Sequence, residues 1–355
     1  MDRVIPIIIP SLAPSECLIE LVNGLRNKLR DPIVIVDDGS GEAFQSIFTV
    51  LENVDGCYVI HHTENKGKGR ALKTAFQFCL EKYPGLIGSV TADADGQHTV
   101  DCIVKCRKAL ASHQGSLIMG VRDFSLENVP KKSRLGNNIT KFVCKAFCGI
   151  NVSDTQTGLR GIPAEFMGEL ISVKGERFEF ETRMLLAAKG NYPIFEVQIE
   201  TVYDSKENHS THFNTVKDSV RIYKIFLSVF AKFMLSSMSA SAIDLILFAV
   251  LCTVFQDMTK YYVILSTVLA RSVSATYNYL INYRVVFHSH TSHKKTTARY
   301  FCLAVMLMIL SACAVTGLTM LLPNLTPVIA KVPVDILLFF LNFFVQREFI
   351  YRKKK

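Results

Sequence analysis

The chain has 355 residues, enough for about two domains, and its apolar residues are concentrated after residue 215. A net charge of +9 would suit nucleic acid in a soluble protein, but many basic residues here flank apolar runs, as anionic lipid surfaces favour. We therefore predict no nucleic-acid partner. The ten cysteines include no CxxC pair and lie in helical patterns, which argues against zinc sites and disulfides.

Strands and helices alternate from the start of the chain. An apolar strand over 3–9 leads into a helix that Ser15 could cap, and a second strand over 32–36 runs into the acidic turn 37–40. A third strand over 58–60 completes a βαβαβ pattern. This order predicts an α/β domain with a mostly parallel sheet.

A glycine-rich stretch over 64–72 follows the third strand and includes Lys68. Its glycines allow close backbone approach, and its cations could meet a diphosphate at a helix N-terminus. The alternative is a tight turn into an amphipathic helix. A dinucleotide-binding fingerprint is excluded, because that pattern follows the first strand and needs a third glycine at fixed spacing.

An acidic cluster, Asp93-Ala94-Asp95-Gly96-Gln97-His98, directly follows an apolar run over 86–90. On an extended backbone Asp93, Asp95 and Gln97 would project to one side. Hard oxygen ligands of this kind suit Mg²⁺ or Mn²⁺ completed by substrate phosphates, although a loop of solvated acids is the alternative. Asp37 and Asp38 also follow a strand, so we expect both acidic groups to face one crevice.

Candidate anion-binding residues follow in the next hundred positions. A fifth strand over 117–120 delivers Arg122 to the same edge. The helix over 131–147 has an apolar stripe beside basic residues, which predicts either a membrane-surface helix or a core-facing one. The segment 154–161 places an acid and Arg160 around a glycine turn, suited to gripping an anion beside a metal, with a structural arginine as the alternative.

Two further elements close the front domain. A helix over 178–186 could turn Glu181 toward the crevice. The alternation over 194–203 predicts a half-exposed strand, and a polar loop then runs over 204–214. Residues 216–232 show the basic amphipathic pattern of an interfacial helix.

The remaining chain predicts a membrane domain. Four apolar runs are long enough to span a bilayer, at about 233–255, 261–283, 301–322 and 325–346. The ends of the second and fourth runs are weakly similar, which implies two related hairpins. Basic residues in the second connection and the tail predict that both termini are cytoplasmic. Charged residues within the apolar runs predict ion pairs or a polar path: Asp244, Arg271, Lys331 and Asp335.

The motifs IVDDGS, ENKGKGRAL, DADGQH and DTQTGLRG, followed by NYLINYRVVF, carry a resemblance that covers nearly the whole chain. Residues 1–215 resemble a family 2 glycosyltransferase of the GT-A fold, close to dolichyl-phosphate mannose and glucose synthases and bacterial polyprenyl-phosphate glycosyltransferases. Residues 233–355 resemble the four-helix GtrA-like domain often fused to them. The resemblance implies a Rossmann-like GT-A domain in the cytosol, followed by an all-α domain of four transmembrane helices in the cell membrane.

The resemblance also implies an enzyme. It would transfer a hexose from a UDP- or GDP-sugar to polyprenyl phosphate, undecaprenyl or dolichyl, with inversion and with Mg²⁺ or Mn²⁺, making a lipid-linked donor for cell-envelope glycosylation. Membrane lipids are implied partners, and a homo-oligomer is left open. The roles carried over are nucleotide-sugar binding by Pro10, Glu16, Asp37, Asp38, Lys68, Asp93 and Arg122, metal binding by Asp95 and Gln97, acceptor-phosphate binding by Arg122, Arg134 and Arg160, and catalysis by Asp95, Asp154 and Arg160.

One departure from the family affects base recognition. Family members commonly carry an Asn-Glu pair in the first loop, whereas only Glu16 can be matched here. A processive polysaccharide synthase is disfavoured, because that family needs a Gln-x-x-Arg-Trp signature and the chain contains no Trp. The alternative from another class is a lipid-linked-sugar translocase, with the front domain as its docking partner.

Overall fold

The computed structural model describes residues 3–125, 129, 131–200, 215–258, 262–287, 289, 292–322 and 327–351. The chain forms two compact units, Met1–Ile225 and Phe226–Lys355. The division falls inside a long helix, and the expected domain boundary near residue 215 stays a prediction. The predicted polar loop over 204–214 and the basic tail over 352–355 lie outside the described residues.

A seven-stranded sheet forms the centre of unit 1, in the order β3-β2-β1-β4-β6-β5-β7. The strands are β1 Ile7–Ser11, β2 Ile33–Asp37, β3 Cys57–His61, β4 Gly88–Thr91, β5 Leu117–Arg122, β6 Arg160–Pro163 and β7 Ile194–Ile199. Neighbours pair in parallel except β6, which is antiparallel to both β4 and β5. The sheet is therefore mixed, with the expected parallel part on the β1–β3 side.

Helices cover the sheet between the strands. Those of unit 1 are α1 Cys17–Lys28, α2 Gln45–Glu52, α3 Lys68–Lys82, α4 Val100–Ser112, α5 Lys131–Val143, α6 Ala164–Ile171 and α7 Glu179–Ala188. Both β1 and β2 are buried along their whole length, as parallel strands with covered faces require. Six cysteines are buried as free thiols: Cys57, Cys79, Cys102, Cys106, Cys144 and Cys148. They pack as small apolar side chains.

Two local predictions were wrong. Helix α1 begins at Cys17 behind Glu16 and receives no side-chain cap, so Ser15 does not cap it. The segment over 154–161 is not only a turn, since Arg160 already belongs to β6 and α6 follows directly. The sequence signal for β6 was weak because the strand has four residues, one of them glycine and one proline.

The described residues of the second half of the chain form four long helices: α8 Thr215–Phe255, α9 Tyr262–Ile281, α10 His293–Leu321 and α11 Pro327–Val345. They cover the four predicted apolar runs. Among the described residues, one helical stretch, Val220–Phe255, is long and apolar enough to cross a membrane. The predicted interfacial helix over 216–232 and the first predicted span are one continuous helix.

Polar contacts in unit 2 join the ends of the second and fourth apolar runs, which are weakly similar in sequence. Asn282, in the π-helical turn directly after α9, donates to Asn278 at 2.9 Å and to Gln346 at 3.1 Å, and Gln346 donates to Asn342 at 2.8 Å. Asp244 accepts a hydrogen bond from Ser274 at 2.9 Å. This acid of an apolar run therefore has a polar partner, as expected of charges in apolar surroundings. The Lys331 side chain lies outside the described part of the structure.

Candidate active site

The acidic turn after β2 is built from two carboxylates with different partners. Asp37 ends β2 and pairs in register with His61 of β3. Its Oδ1 accepts hydrogen bonds from the backbone N–H and the hydroxyl of Ser40, at 2.8 and 2.5 Å. Its Oδ2 lies 2.9 Å from Nδ1 of His61. Asp37 is thus held in one orientation at the carboxyl end of the strand.

Asp38 connects this turn to the glycine-rich loop. Its carboxylate accepts the backbone N–H of Lys66 at 2.9 Å and that of Gly67 at 2.7 Å, and it contacts His62 at 2.8 Å. Gly39 has φ +77°, and a Cβ there would lie 2.4 Å from the backbone of Glu64. The two loops therefore touch through backbone that only glycine permits.

The cation of Lys68 lies between two carboxylates from different elements. Its Nζ is 2.6 Å from Asp93 Oδ1 and 2.9 Å from Glu181 Oε1 on α7. Burial acts to lower the pKa of Lys68, but the charges of Asp93 and Glu181 outweigh it and raise that pKa. Burial likewise acts to raise the pKa of Asp93, and Lys68 and His98 outweigh it and hold that pKa far below its usual value. Lys68 and Asp93 are therefore both charged near neutral pH.

Asp93 is further enclosed by residues whose role the sequence did not reveal. Nε2 of the buried His98 lies 3.5 Å from Asp93 Oδ2. A Cβ at Gly158 would lie 2.3 Å from the same oxygen. Gly158 in turn is fixed over β4, because its carbonyl accepts the Thr91 hydroxyl at 2.8 Å. Two features of the sequence could have revealed these contacts with Asp93: Gly158 in the motif after Asp154, and His98 at the end of the acidic motif.

The expected extended backbone from Asp93 to Gln97 is wrong. The chain turns after β4, with Gly96 at φ +75° and the Gln97 N–H donating to Asp95 Oδ1 at 3.1 Å. Asp93 is therefore directed to Lys68, while Asp95 is exposed. The chain forms a turn rather than an extended strand because Gly96 adopts positive φ without steric cost and the Asp95 side chain accepts a hydrogen bond from the local backbone.

The residues present fit a divalent cation that substrate phosphates complete. Among the described residues no three His, Cys, Asp or Glu side chains form a ready-made metal cage. Asp95 and Gln97 offer oxygen ligands at the surface, as Mg²⁺ or Mn²⁺ bound mainly by phosphates and water would need. Partial loss of solvent, followed by repulsion from Asp93, raises the pKa of Asp95. A cation beside Asp95 would relieve that repulsion.

Arg122 and Asp154, predicted separately, form one bidentate ion pair. The Nε and Nη2 atoms of Arg122 lie 2.6 and 3.1 Å from the two oxygens of Asp154. Asp154 is fully buried, and Arg122 keeps part of its surface exposed above the Phe124 ring. Two parallel charge-assisted hydrogen bonds fix the guanidinium plane at the end of β5.

Arg160 is fully buried on β6. Its Nε donates to the Thr157 carbonyl at 2.9 Å and its Nη1 to the Glu181 carbonyl at 2.6 Å. Among the described residues Nη2 has no hydrogen-bond partner. The predicted phosphate contact stays a prediction, and the burial favours its structural alternative, in which Arg160 ties β6 to α7.

The other predicted residues lie around these clusters. Pro10 is buried within β1, and Glu16 is exposed directly before α1. Arg134 lies on α5, partly buried. The structure thus brings together Lys68, Asp93 and Glu181 in one cluster and Arg122 with Asp154 in another. Glu16 precedes α1 and Arg134 lies on α5.

Comparison with known proteins identifies the class that this sheet and these clusters define. The model of glycosyl transferase family 2 matches residues 7–170, and that of the GtrA/DPMS transmembrane domain matches residues 232–351. The chain belongs to glycosyltransferase family 2, in the dolichyl-phosphate sugar synthase type, and it is an enzyme. Its first unit is a GT-A-like mixed sheet with helices, and the GtrA-like region makes it a membrane protein.

Individual relatives match a little over half of this chain. The UDP-N-acetylglucosamine–dolichyl-phosphate N-acetylglucosaminyltransferase of Methanococcus voltae is 31% identical over 220 residues, covering 57% of this chain and 87% of that protein. An uncharacterised protein of Methanocaldococcus jannaschii is 30% identical over 202 residues, covering 56% of this chain and 81% of its own. Glucosyl-3-phosphoglycerate synthase from Mycobacterium tuberculosis is 14% identical, with a TM-score of 0.47, covering 63% and 76% of the two chains.

Proposed function

We propose that the protein transfers a hexose from a nucleotide-diphosphate sugar to polyprenyl phosphate, with inversion and with a divalent cation. The observation that carries this proposal is the edge where the family 2 domain presents the exposed Asp95 beside the Lys68–Asp93–Glu181 cluster. The Methanococcus voltae relative is named for UDP-N-acetylglucosamine and dolichyl phosphate. UDP-N-acetylglucosamine is therefore the first donor to test, with GDP-sugars as the alternative.

The donor would bind along the carboxyl ends of β2 and β4. Asp37 and Asp93 would contact the nucleoside, and Lys68 lies close enough to Asp93 to approach the diphosphate. Asp95 and Gln97 would hold Mg²⁺ or Mn²⁺ against the diphosphate. That ion would neutralise the charge that develops on the departing nucleoside diphosphate.

The acceptor needs positioning more than activation, because a polyprenyl phosphate is already anionic. Arg122 presents a fixed guanidinium on Asp154, and Arg134 on α5 supplies a second cation. An arriving acceptor phosphate would bind Arg122 while Arg122 stays paired with Asp154. This contact would hold the nucleophilic phosphate oxygen near the anomeric carbon. Positioning and electrostatics would then supply most of the rate.

Access of a lipid acceptor is supported by the outward face of α5. Leu135, Ile139 and Phe142 lie along one side of the helix with 62%, 45% and 68% of their surface exposed. The inward side is polar instead: Asn137 and Thr140 are buried, and Asn137 donates to the Ser153 carbonyl at 2.9 Å. Exposed apolar residues beside Lys141 and Lys145 suit a helix lying at lipid headgroups. We infer four spans from the length of the apolar runs and a cytoplasmic active site from the charge pattern.

Radiolabelled nucleotide sugars offered with polyprenyl phosphate and Mg²⁺ test the proposal through label recovered in the organic phase. UDP-N-acetylglucosamine or another UDP- or GDP-hexose should label the lipid. Asp95→Ala should abolish transfer and leave a folded protein, while Asp55→Ala, which removes an exposed carboxylate outside the site, should leave transfer unchanged. Full activity of Asp95→Ala in a chelator would refute the metal assignment, and no lipid label with any donor would refute the function.

A further inference from the structure

His61, at the end of β3, lies between two carboxylates from different elements. Its Nδ1 is 2.9 Å from Asp37 Oδ2, and its Nε2 is 3.0 Å from Glu52 Oε1 at the end of α2. The Phe48 ring meets the imidazole edge to face at 5.5 Å between centroids. Asp37 is nearly buried, whereas Glu52 is exposed. The ring therefore connects the buried nucleoside candidate to a surface acid.

The protonation state follows from these contacts. An ionised carboxylate only accepts hydrogen bonds, so both ring nitrogens must carry a proton to satisfy both neighbours. The adjacent His62 provides the contrast: it faces Asp38 at 2.8 Å and the Thr74 hydroxyl at 3.0 Å, and a neutral ring satisfies both. Of the two neighbouring histidines, His61 is the one whose contacts require the imidazolium.

We propose that His61 is a positioning residue of the donor site, held as an imidazolium by Glu52 so that it orients the ionised Asp37 toward the nucleobase. The inference rests on the proposed function, since it takes Asp37 as a nucleoside contact. Ser40 fixes one oxygen of Asp37 and His61 the other. The lone pairs that remain on the carboxylate then point in a set direction for an N–H of the base.

The charge of His61 also determines whether nucleotide affinity rises or falls with pH. Partial burial acts to lower the pKa of His61, but the hydrogen bonds and charges of Asp37 and Glu52 outweigh it and raise that pKa above 6.5. These two acids are the charged groups in contact with the ring among the described residues. The imidazolium is thus present below the raised pKa and is lost as the pH increases through it. Nucleotide affinity should fall over the same interval.

A nuclear magnetic resonance titration of the imidazole signals in the full-length protein in detergent tests the contacts without any nucleotide. The signal missing in His61→Asn identifies His61. It should titrate above the usual histidine range, and Glu52→Gln, a change at an exposed position, should move the midpoint to lower pH. If Glu52→Gln leaves the titration midpoint of His61 unchanged, Glu52 does not hold the imidazolium and the proposal is overturned.

Calorimetric binding of UDP or GDP with Mg²⁺ between pH 6.5 and 9 tests the link to the donor. Wild-type Kd should rise roughly fivefold across the His61 midpoint, the difference expected between a charge-assisted and a neutral hydrogen bond. His61→Asn keeps a neutral donor near the Nδ1 position, so its profile should be flat at about the alkaline wild-type value. His113→Gln, at an exposed histidine stacked on Phe195, should keep the wild-type profile.

The outcomes separate this inference from the proposed function. Binding of either nucleotide with the same pH profile in wild type and His61→Asn would overturn the role of His61 and leave the glycosyltransferase proposal intact. Absence of binding by both nucleotides at every pH would overturn both. Lipid labelling in the transfer assay together with a pH-independent Kd would overturn the role of His61 alone.

Discussion

Gly158 sets the position of Asp93, although it carries no side chain. A methyl group there would lie 2.3 Å from Asp93 Oδ2 and would push the carboxylate away from Lys68 and His98. We predict that Gly158→Ala lowers transfer about a hundredfold, the loss expected from an ångström-scale displacement of a binding group. Initial rates of lipid labelling measure the effect.

The matched change is Gly168→Ala on α6. A Cβ at Gly168 meets no atom within 4 Å, and the position is exposed. Transfer should be unchanged, and the free energy of unfolding should rise by about 0.5 to 1 kcal/mol because alanine favours the helix. Equal activity of Gly158→Ala and Gly168→Ala would show that Asp93 tolerates displacement.

Arg160 offers a test between a phosphate contact and a structural role. Arg160 donates from two different nitrogens of its planar guanidinium, one to each of two backbone carbonyls. Lysine has one nitrogen, so Arg160→Lys should leave the carbonyl of Thr157 or Glu181 without its hydrogen bond. We predict a loss of about 2 kcal/mol in unfolding free energy and little change in the KM for donor and acceptor. Denaturant unfolding and transfer kinetics decide the matter: unchanged stability with a large increase in KM would restore the phosphate role.

At single residues, the sequence predicted which side chains follow β4 but not their geometry. Asp93, Asp95 and Gln97 come after β4, but the assumption of an extended backbone failed because Gly96 turns the chain. The pairing of Arg122 with Asp154 joins positions 32 residues apart, which no local pattern reveals. Burial of Arg160 depends on an antiparallel strand that was not expected.

Helix α5 has its apolar side outward, and this arrangement predicts how the acceptor reaches the site. Replacing Leu135, Ile139 and Phe142 by serine should raise the KM for polyprenyl phosphate in vesicles, since three exposed apolar side chains would no longer enter the lipid. The KM for a short-chain prenyl phosphate in detergent should be unchanged. Val50→Ser, at an exposed position of α2, is the control. Equal changes for both acceptors would indicate a direct defect in the site instead.

For whole elements, long periodic segments were predictable and short ones were not. The strands β1 and β2 and the four long helices follow from apolar runs and their length. In α5 the sequence left open whether the apolar stripe faces the core or the lipid, because periodicity defines a face without saying what it contacts. The buried Asn137 and Thr140 decide that the core side is the polar one.

The orientation of the whole molecule can be tested with cysteines at exposed positions. Lys295 is exposed in the first turn of α10 and reports on the side of the membrane where that helix begins. Removing the accessible thiols Cys17, Cys252, Cys302 and Cys313 leaves the six buried ones in place. Lys295→Cys should then resist an impermeant maleimide in intact cells and react after lysis, because basic connections stay in the cytoplasm.

The opposite side provides the control for this experiment. Gln256→Cys, exposed just beyond α8, should react with the maleimide in intact cells if the helices cross the membrane in alternation. Protection of Gln256→Cys together with labelling of Lys295→Cys would invert the topology. The active site would then face away from a cytosolic nucleotide donor.

The bridge between Asp38 and the glycine-rich loop also affects how fast its amide protons exchange with solvent. The N–H groups of Lys66 and Gly67 lie in a loop, yet both donate to a buried carboxylate, and the Asp38 N–H donates to the Ser11 carbonyl at 2.8 Å. Deuterium uptake there should be slow in the nucleotide-free protein, unlike that of an ordinary surface loop. An incoming donor would bind beside a loop that Asp38 already holds in place, so little conformational entropy of the chain would be lost on binding.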